Sequence, residues 1–215
     1  VFKCPEKNEK PDYSEVINQY VELKNNNFYR GKDFGSIDNY IKKYVSRLLV
    51  IHKAIYGDLS NDIWYSLYDI DKNGVNELII SDKNDGSGNI YDIFTYANGK
   101  IYSLHNEISG SYSSEYSSWG ERTQISLYKN GVIGIYGSGG AYVHGMSFYR
   151  IGTDGYSMIC HFDVEILYDK YYISDPFSDS SSKQEVSEEF FEKGCEWYSS
   201  GYYPADDPDI SLEWR

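Results

Sequence analysis

Residues 69–77 carry oxygen-bearing side chains at the spacing of a calcium-binding loop. Aspartate or asparagine occupies positions 1, 3 and 5 of this segment, and a tight loop turns such side chains toward a common point. Gly74 at position 6 allows the sharp turn, and Ca²⁺ takes six to eight oxygen ligands. The five predicted ligands are Asp69, Asp71, Asn73, the main-chain carbonyl of Val75, and Glu77.

The same segment also suits a turn that binds no metal. Asp and Asn side chains accept hydrogen bonds from nearby main-chain N–H groups, so a hairpin can use them without a cation. The segment also departs from a full EF-hand loop, because Ile80 stands at position 12, where that loop has a bidentate glutamate. Residues 78–80 have the pattern of a strand. Both interpretations stay open, and any bound Ca²⁺ is predicted to have a structural role.

The Ser/Tyr-rich segment 108–120 is a second candidate for binding. Tyrosine gives rigid amphipathic contacts and serine gives adaptable hydrogen bonds, a combination typical of binding loops. A flexible loop with no binding role fits the same composition equally well. The residues predicted to contact a ligand are Tyr112, Tyr116 and Trp119.

Signals for catalysis are weak in this chain. The motifs HExxH and GxSxG do not occur, and the glycine-rich run 137–140 lacks the Lys-Ser/Thr of a phosphate-binding P-loop. Asp163 and Glu165 are spaced to share one face of a strand, as a pair of glycosidase carboxylates could. Many such pairs are expected by chance in a chain with 33 acidic residues. The sequence therefore favours a non-enzymatic protein without excluding an enzyme.

Charge and composition limit the partners. The chain has 215 residues, a formal net charge of −13 and a pI near 4.7. An acidic surface repels phosphate groups, so nucleic acid is not expected as a partner. No apolar run approaches the ~20 residues that a membrane-spanning helix needs. Three cysteines leave the pairing open, and a Cys4–Cys195 bridge with a buried Cys160 thiol is one possibility.

The N-terminal third is predicted to be helical. Residues 1–11 are polar and read as a tether, and residues 12–215 read as a single α+β domain. Asp12 or Ser14 can cap a first helix that runs to about residue 26. A second helix is predicted from Ser36 to about residue 55, because apolar residues recur there every three or four positions.

The rest of the chain has strand-and-turn periodicity. Asn98-Gly99, Asn130-Gly131 and Asp154-Gly155 predict hairpin turns, because these residues tolerate positive φ. The fold class expected is thus α+β, with two N-terminal helices on an antiparallel meander of about eight strands. Segments 108–120 and 137–145 are predicted insertions, and Ser187 is the predicted cap of a C-terminal helix over 188–198. The predicted strands are 63–68, 78–81, 90–96, 101–104, 123–128, 132–136, 146–151 and 156–162.

Two stretches carry a resemblance to a family. The run 64–80 (WYSLYDIDKNGVNELII), followed by 90–96, and the glycine-rich 137–141 resemble secreted lipoproteins of clostridial-type bacteria. The loop within the first run is similar to the calcium loops of EF-hand-like families, including dockerins and FG-GAP repeats. That resemblance implies an extracellular or cell-surface protein more than it implies an activity. A start at Val1 without Met agrees with a removed signal peptide and equally with a trimmed domain.

The function expected from these observations is modest. The chain is predicted to be an extracytoplasmic, non-enzymatic domain that binds a protein or glycan, stabilised by Ca²⁺ at its acidic loop. A glycan-directed hydrolase is the first alternative. An inhibitor or immunity-type protein, whose acidic surface would block a basic enzyme, is the second.

Overall fold

The computed structural model describes residues 11–25, 43–46, 49–50, 63–81, 90–105, 123–174 and 183–199. Within these residues the chain forms two helices of 12 residues each and ten strands, and the strands are arranged as two antiparallel sheets. Residues 49–50 and 104–105 are also helical. The helices are α1 (Ser14–Asn25) and α2 (Glu188–Ser199). The strands are β1 (Trp64–Tyr68), β2 (Glu77–Ser81), β3 (Ile90–Ala97), β4 (Lys100–Ser103), β5 (Thr123–Leu127), β6 (Ile133–Gly140), β7 (Val143–Ile151), β8 (Met158–Leu167), β9 (Lys170–Ser174) and β10 (Lys183–Val186).

Helix α1 begins where the sequence predicted it. The carboxylate of Asp12 accepts a hydrogen bond from the Ser14 N–H at 3.0 Å, as an N-cap does. Hydrogen bonds with the Ser14 side chain and, to a lesser extent, with its main chain lower the pKa of Asp12. Val16, Tyr20 and Leu23 are buried on one face of the helix, at spacings of four and three residues. The buried stripe places α1 against the first sheet.

The predicted second helix is wrong as one uninterrupted helix. Residues 43–46 form a turn, and Leu49 and Val50 are helical; the rest of 36–55 lies outside the described residues. The buried Ser46 donates its N–H to the Tyr20 hydroxyl at 3.0 Å, and its own hydroxyl accepts from the Leu49 N–H at 3.4 Å. Ser46 thus acts as a helix cap, and bonds to α1 replace the hydrogen bonds of a continuous helix.

The first sheet has the order β1-β2-β3-β4. The turn between β3 and β4 is the predicted two-residue turn, with φ of 52° at Asn98 and 75° at Gly99. One face of this sheet carries Phe94, whose ring meets the Tyr44 ring edge-on with centroids 5.8 Å apart. This face and α1 enclose part of the hydrophobic core.

The second sheet has the order β10-β9-β8-β7-β6-β5, which corrects the predicted single meander of eight strands. Strands β9 and β10 were not predicted, because their short polar and tyrosine-rich sequences lack a clear alternation. The segment 137–145 is not an insertion either. It forms the paired ends of β6 and β7, with Gly137 opposite Gly145, since main-chain hydrogen bonds need no side chain.

The two sheets share the main core. Ile79 and Ile93 of the first sheet are fully buried in one cluster with Ile125 and Ile133 of the second. The opposite face of the second sheet is covered by α2, where the Tyr198 ring stacks on Phe162 and Phe148. Burial of these apolar faces on both sides of the second sheet stabilises the layers.

The turn at Asn130-Gly131 joins the sheets at one edge. Gly131 has φ of 78°, and a Cβ added there would lie 2.9 Å from the Ile70 carbonyl oxygen. Only glycine therefore fits the contact between the turn at Gly131 and the loop that follows β1. The turns at Asn130-Gly131 and Asp154-Gly155 both form where predicted, although each has more than two residues between its strands.

The described residues include two of the three cysteines and both helices. Cys160 and Cys195 are both free thiols, and burial raises the pKa of each to about 11. The Cys4–Cys195 bridge is therefore not formed, and Cys4 lies outside the described residues. Neither α1 nor α2 is long and apolar enough to span a membrane.

Replacing Gly131 tests the contact between the sheets. We expect Gly131→Ala to lower the free energy of unfolding by about 2–4 kcal/mol, through the positive φ and the clash with Ile70. Gly99→Ala is the matched control, because its φ is 75° and nothing lies within 4 Å of an added Cβ. Gly99→Ala should lower the free energy of unfolding by only about 1–2 kcal/mol. Urea denaturation measures both, and equal losses would contradict the close approach at Gly131.

Removing one hydroxyl tests the cap at Ser46. Tyr20→Phe leaves the buried Ser46 N–H without an acceptor, so we expect a loss of about 1–3 kcal/mol in urea denaturation. Tyr142→Phe, at an exposed tyrosine, should change the free energy of unfolding by less than about 0.5 kcal/mol. A Tyr20→Phe variant as stable as the wild type would rule out a stabilising role for this bond.

Candidate metal centre

The acidic loop, residues 69–76, connects β1 to β2. The last pair of this hairpin is Tyr68 with Glu77, so the residues at the two ends of the loop lie side by side. Asp69 follows the first strand directly, and Glu77 opens the second. The strand pairing, and not the loop alone, therefore brings the Glu77 carboxylate to Asp69 and Asp71.

Three carboxylates converge at this point. One oxygen from each of Asp69, Asp71 and Glu77 lies within 4.8 Å of the other two. Asp69 and Asp71 are half-buried, while Glu77 is completely buried. Burial, followed by the negative charge of Asp69, raises the pKa of Asp71. Such a group of hard oxygen donors is chemically suited to a divalent cation.

Glu77 has the most unusual environment of the three. Its Oε2 accepts a hydrogen bond from the Ile70 N–H at 2.7 Å, and its Oε1 accepts one from the Thr95 hydroxyl at 3.3 Å. Burial raises the pKa of Glu77 to about 8, and the nearby charges of Asp71 and Asp69 act in the same direction. No basic side chain in the described segments forms an ion pair with it.

Hydrogen bonds within the acidic loop hold its main chain. The two carboxylate oxygens of Asp69 accept from the N–H groups of Asn73 and Gly74, both at 3.0 Å. Asp71 accepts from the Asn73 N–H at 3.1 Å and from the Asn73 side-chain amide at 2.9 Å. Lys72 and Gly74 have φ of 63° and 91°. These are the Asx-type bonds of a turn, and they leave lone pairs on every carboxylate oxygen.

Three of the five predicted ligands, Asp69, Asp71 and Glu77, form the three-carboxylate group. The side-chain oxygen of Asn73 accepts a hydrogen bond from the Val75 N–H at 2.6 Å, which orients the Asn73 oxygen toward the main chain. Lys72 places its ammonium 4.2 Å from the centre of the Tyr68 ring and donates to the Tyr68 hydroxyl and to the Asp69 carbonyl. The Lys72 ammonium thus donates its hydrogen bonds to Tyr68 and to the Asp69 main chain, and not to the three carboxylates.

Sequence reasoning missed the residues that support the site from a distance. Thr95 lies on β3, 18 residues after Glu77, and its single hydroxyl proton is shared between Glu77 Oε1 and the nearer Gly155 carbonyl, 2.9 Å away. Tyr13 of α1 donates its hydroxyl to the Asn76 carbonyl at 2.9 Å. No local pattern marks either residue, because each reaches the loop through tertiary packing.

A second fully buried carboxylate, Asp92, lies in the first sheet. Its Oδ1 accepts from the Ile93 N–H at 2.8 Å and the Ser103 hydroxyl at 3.1 Å, while its Oδ2 has no hydrogen-bond partner. Burial raises the pKa of Asp92 well above its usual range. Asp92 is not part of the three-carboxylate group and is no substitute for the carboxylates of the loop.

Of the other predicted candidates, only the acid pair lies within the described residues. Tyr112, Tyr116 and Trp119 lie outside the described residues. Asp163 and Glu165 share a face of β8, but Asp163 accepts a hydrogen bond from Ser147 and Glu165 forms an ion pair with Lys183.

Comparison with known proteins adds no relative. No protein-family model, no curated protein and no solved structure matches the chain. The resemblance to clostridial-type lipoproteins accordingly stays a prediction from the segments that carry it. The acidic loop must be interpreted from its own geometry.

The raised pKa of Glu77 predicts the pH dependence of stability in the presence of a chelator. The unfolded chain loses this proton near pH 4.5 and the folded chain near pH 8, so between these values the folded state binds more protons. Stability should then fall as pH rises, by up to about 1.4 kcal/mol per pH unit from this group. The stability of the Glu77→Gln variant should fall less steeply with pH. The contributions of Asp71 and Asp92 to the pH dependence remain in both proteins. Equal slopes in urea denaturation from pH 5 to 8 would contradict the assignment.

Proposed function

We propose that this chain is an extracytoplasmic, non-enzymatic binding domain whose acidic loop holds a structural Ca²⁺ ion. The observation that carries the cation site is the buried Glu77 carboxylate, which shares a 4.8 Å group with Asp69 and Asp71. All three carboxylates can be ionised at this separation only at an electrostatic cost, which the burial of Glu77 increases. A divalent cation removes that cost and provides the partner that a buried carboxylate requires.

The donor set supports Ca²⁺ over transition metals. All three side chains offer hard carboxylate oxygens, and the described part of the loop has neither the imidazole nor the thiolate that zinc favours. Further oxygens for a shell of six to eight would come from Asn73, the Val75 carbonyl and water. The net charge of −13 also raises the local concentration of cations.

A structural role follows from the position of the site. The acidic loop touches the turn at Gly131 through Ile70, and Thr95 joins Glu77 to the Gly155 carbonyl. A cation bound there would hold a hairpin of the first sheet against two turns of the second. Extracellular modules with such sites bind Ca²⁺ at about 10⁻⁴–10⁻³ M, which suits calcium-rich surroundings.

The binding role and location are supported by less direct observations. The acidic surface, the resemblance of residues 64–80 to secreted lipoproteins and the lack of catalytic motifs favour a binding domain outside the cytoplasm. The hydrolase alternative has little support, because Asp163 and Glu165 both have polar partners that occupy them. Nothing in the described residues favours the inhibitor alternative over the binding domain.

Calcium titration of matched variants tests the cation site. We expect 5 mM Ca²⁺, about 5–50 times the dissociation constant, to raise the stability of the chelated wild type by about 1–2.5 kcal/mol. Asp69→Asn and Asp71→Asn should abolish this increase. Asp154→Asn is the control, because Asp154 also accepts hydrogen bonds from main-chain N–H groups in a turn but lies outside the three-carboxylate group.

The control separates a metal site from a turn that needs no metal. If Ca²⁺ stabilises the Asp69→Asn and Asp71→Asn variants as much as it stabilises the wild type, the ion acts elsewhere and the proposed site is wrong. The same conclusion holds if Ca²⁺ leaves the wild type unchanged. Magnesium at the same concentration measures selectivity, and it should stabilise less because it demands a stricter octahedral shell.

A further inference from the structure

The turn between β8 and β9 has a strained main chain. Leu167 pairs with Lys170, so Tyr168 and Asp169 form a two-residue turn, and both have positive φ, 48° and 64°. Turns of this type favour Asn-Gly, as at Asn98-Gly99, because a side chain with a Cβ is crowded in this conformation. An aromatic residue is therefore an unfavourable choice for folding at Tyr168.

Burial of the Tyr168 ring does not offset that strain. The side chain is 72% exposed, so it contributes little to the core. Strain that packing does not compensate is found where a side chain must be presented for function. The turn holds the Tyr168 ring out at one end of the second sheet.

A second tyrosine is presented beside it. Tyr142, in the turn between β6 and β7, is 62% exposed, and its ring lies 18° from parallel to the Tyr168 ring, with centroids 5.9 Å apart. The Tyr168 N–H donates to the Tyr142 carbonyl at 3.0 Å, which fixes the two turns to each other. The two rings form a preorganised pair, here named the tyrosine pair.

The strands that carry the tyrosine pair also line a small cleft. His144 follows Tyr142 by two residues, Ile166 precedes Tyr168 by two, and both line a mostly apolar cleft of about 40 Å³. The Tyr136 hydroxyl and His144 Nδ1 are 2.7 Å apart, so both side chains are held in place at the cleft. This end of the sheet thus combines exposed aromatic rings, an apolar recess and polar groups.

We propose that the tyrosine pair binds a neutral glycan. A sugar ring has an apolar C–H face that packs on an aromatic ring, and its hydroxyls bond to polar groups around the ring. Asp169, in the same turn as Tyr168, offers a carboxylate that accepts from such hydroxyls. This proposal names a ligand class for the proposed binding domain, and it does not depend on the cation site.

Charge and ring geometry favour a neutral sugar over other ligands. The net charge of −13 repels uronic and other acidic sugars. Recognition of a quaternary ammonium uses several aromatic rings that enclose the cation. The tyrosine pair consists of two nearly parallel rings, which suit a flat ligand better than a compact cation.

Calorimetric titration with defined sugars tests the proposal on the full chain. The probes are neutral hexasaccharides of β-1,4-linked glucose, xylose, mannose and N-acetylglucosamine, a polygalacturonate, and a trimethyllysine peptide. We expect at least one neutral hexasaccharide to bind. Tyr168→Gly and Tyr142→Ala should each weaken that binding about tenfold or more, whereas Tyr168→Phe, which keeps the ring, should bind within about threefold of the wild type.

Thermal unfolding of Tyr168→Gly separates lost binding from lost folding. Glycine accepts the positive φ at this position, so the midpoint of this variant should equal or exceed that of the wild type. A lower midpoint would show that the Tyr168 ring serves stability, and would overturn the proposal. Binding of no neutral hexasaccharide, equal binding by Tyr168→Gly, or binding only of the polygalacturonate or the peptide would overturn it too.

Failure of the glycan-binding proposal can be distinguished from failure of the cation site, because different variants test them. The tyrosine variants lie in the second sheet and should keep the stabilisation by Ca²⁺, while Asp69→Asn and Asp71→Asn remove it. Loss of the calcium effect with glycan binding retained rejects only the cation site. The reverse result rejects only the tyrosine pair.

Discussion

The Glu77 carboxylate is the group through which the acidic loop, the first sheet and one turn of the second sheet are linked. It accepts a hydrogen bond from Ile70 in the loop, and it shares the single hydroxyl proton of Thr95 on β3 with the Gly155 carbonyl. A buried carboxylate beside two others is expensive unless a proton or a cation compensates its charge. The fold thus places an electrostatic cost at the contact between its layers.

The acidic loop and the tyrosine pair illustrate two different departures from what folding alone favours. At the loop the departure is electrostatic, because three acids converge where one cation would stabilise them. At Tyr168 the departure is conformational, because an aromatic residue occupies a main-chain conformation that glycine adopts more easily. Each lies in a hairpin connection, where the rigid sheets can hold an unfavourable arrangement in place.

Local patterns anticipated several elements well. The cap at Asp12, the hairpin turn at Asn98-Gly99 and the tight acidic loop depend on residues that are neighbours in sequence. Predictions from local patterns failed where a distant contact competed with a local preference. Residues 43–46 of the predicted second helix form a turn instead, because Tyr20 and Gln19 of α1 supply acceptors for the N–H groups of Ser46 and Tyr44. The pairing of Gly137 with Gly145 shows that a sheet can extend through residues of low strand propensity.

The amino-acid sequence by itself determined the chemistry of the acidic loop, because the spacing of Asp69, Asp71 and Gly74 is a local property of the chain. Tertiary structure alone decided that Glu77 is buried, that Thr95 supports it and that the strands form two sheets. Tyr142 and Tyr168 stand 26 residues apart and meet only because β7 pairs with β8. Burial and strand pairing depend on contacts among residues far apart in the chain, and no short pattern encodes them.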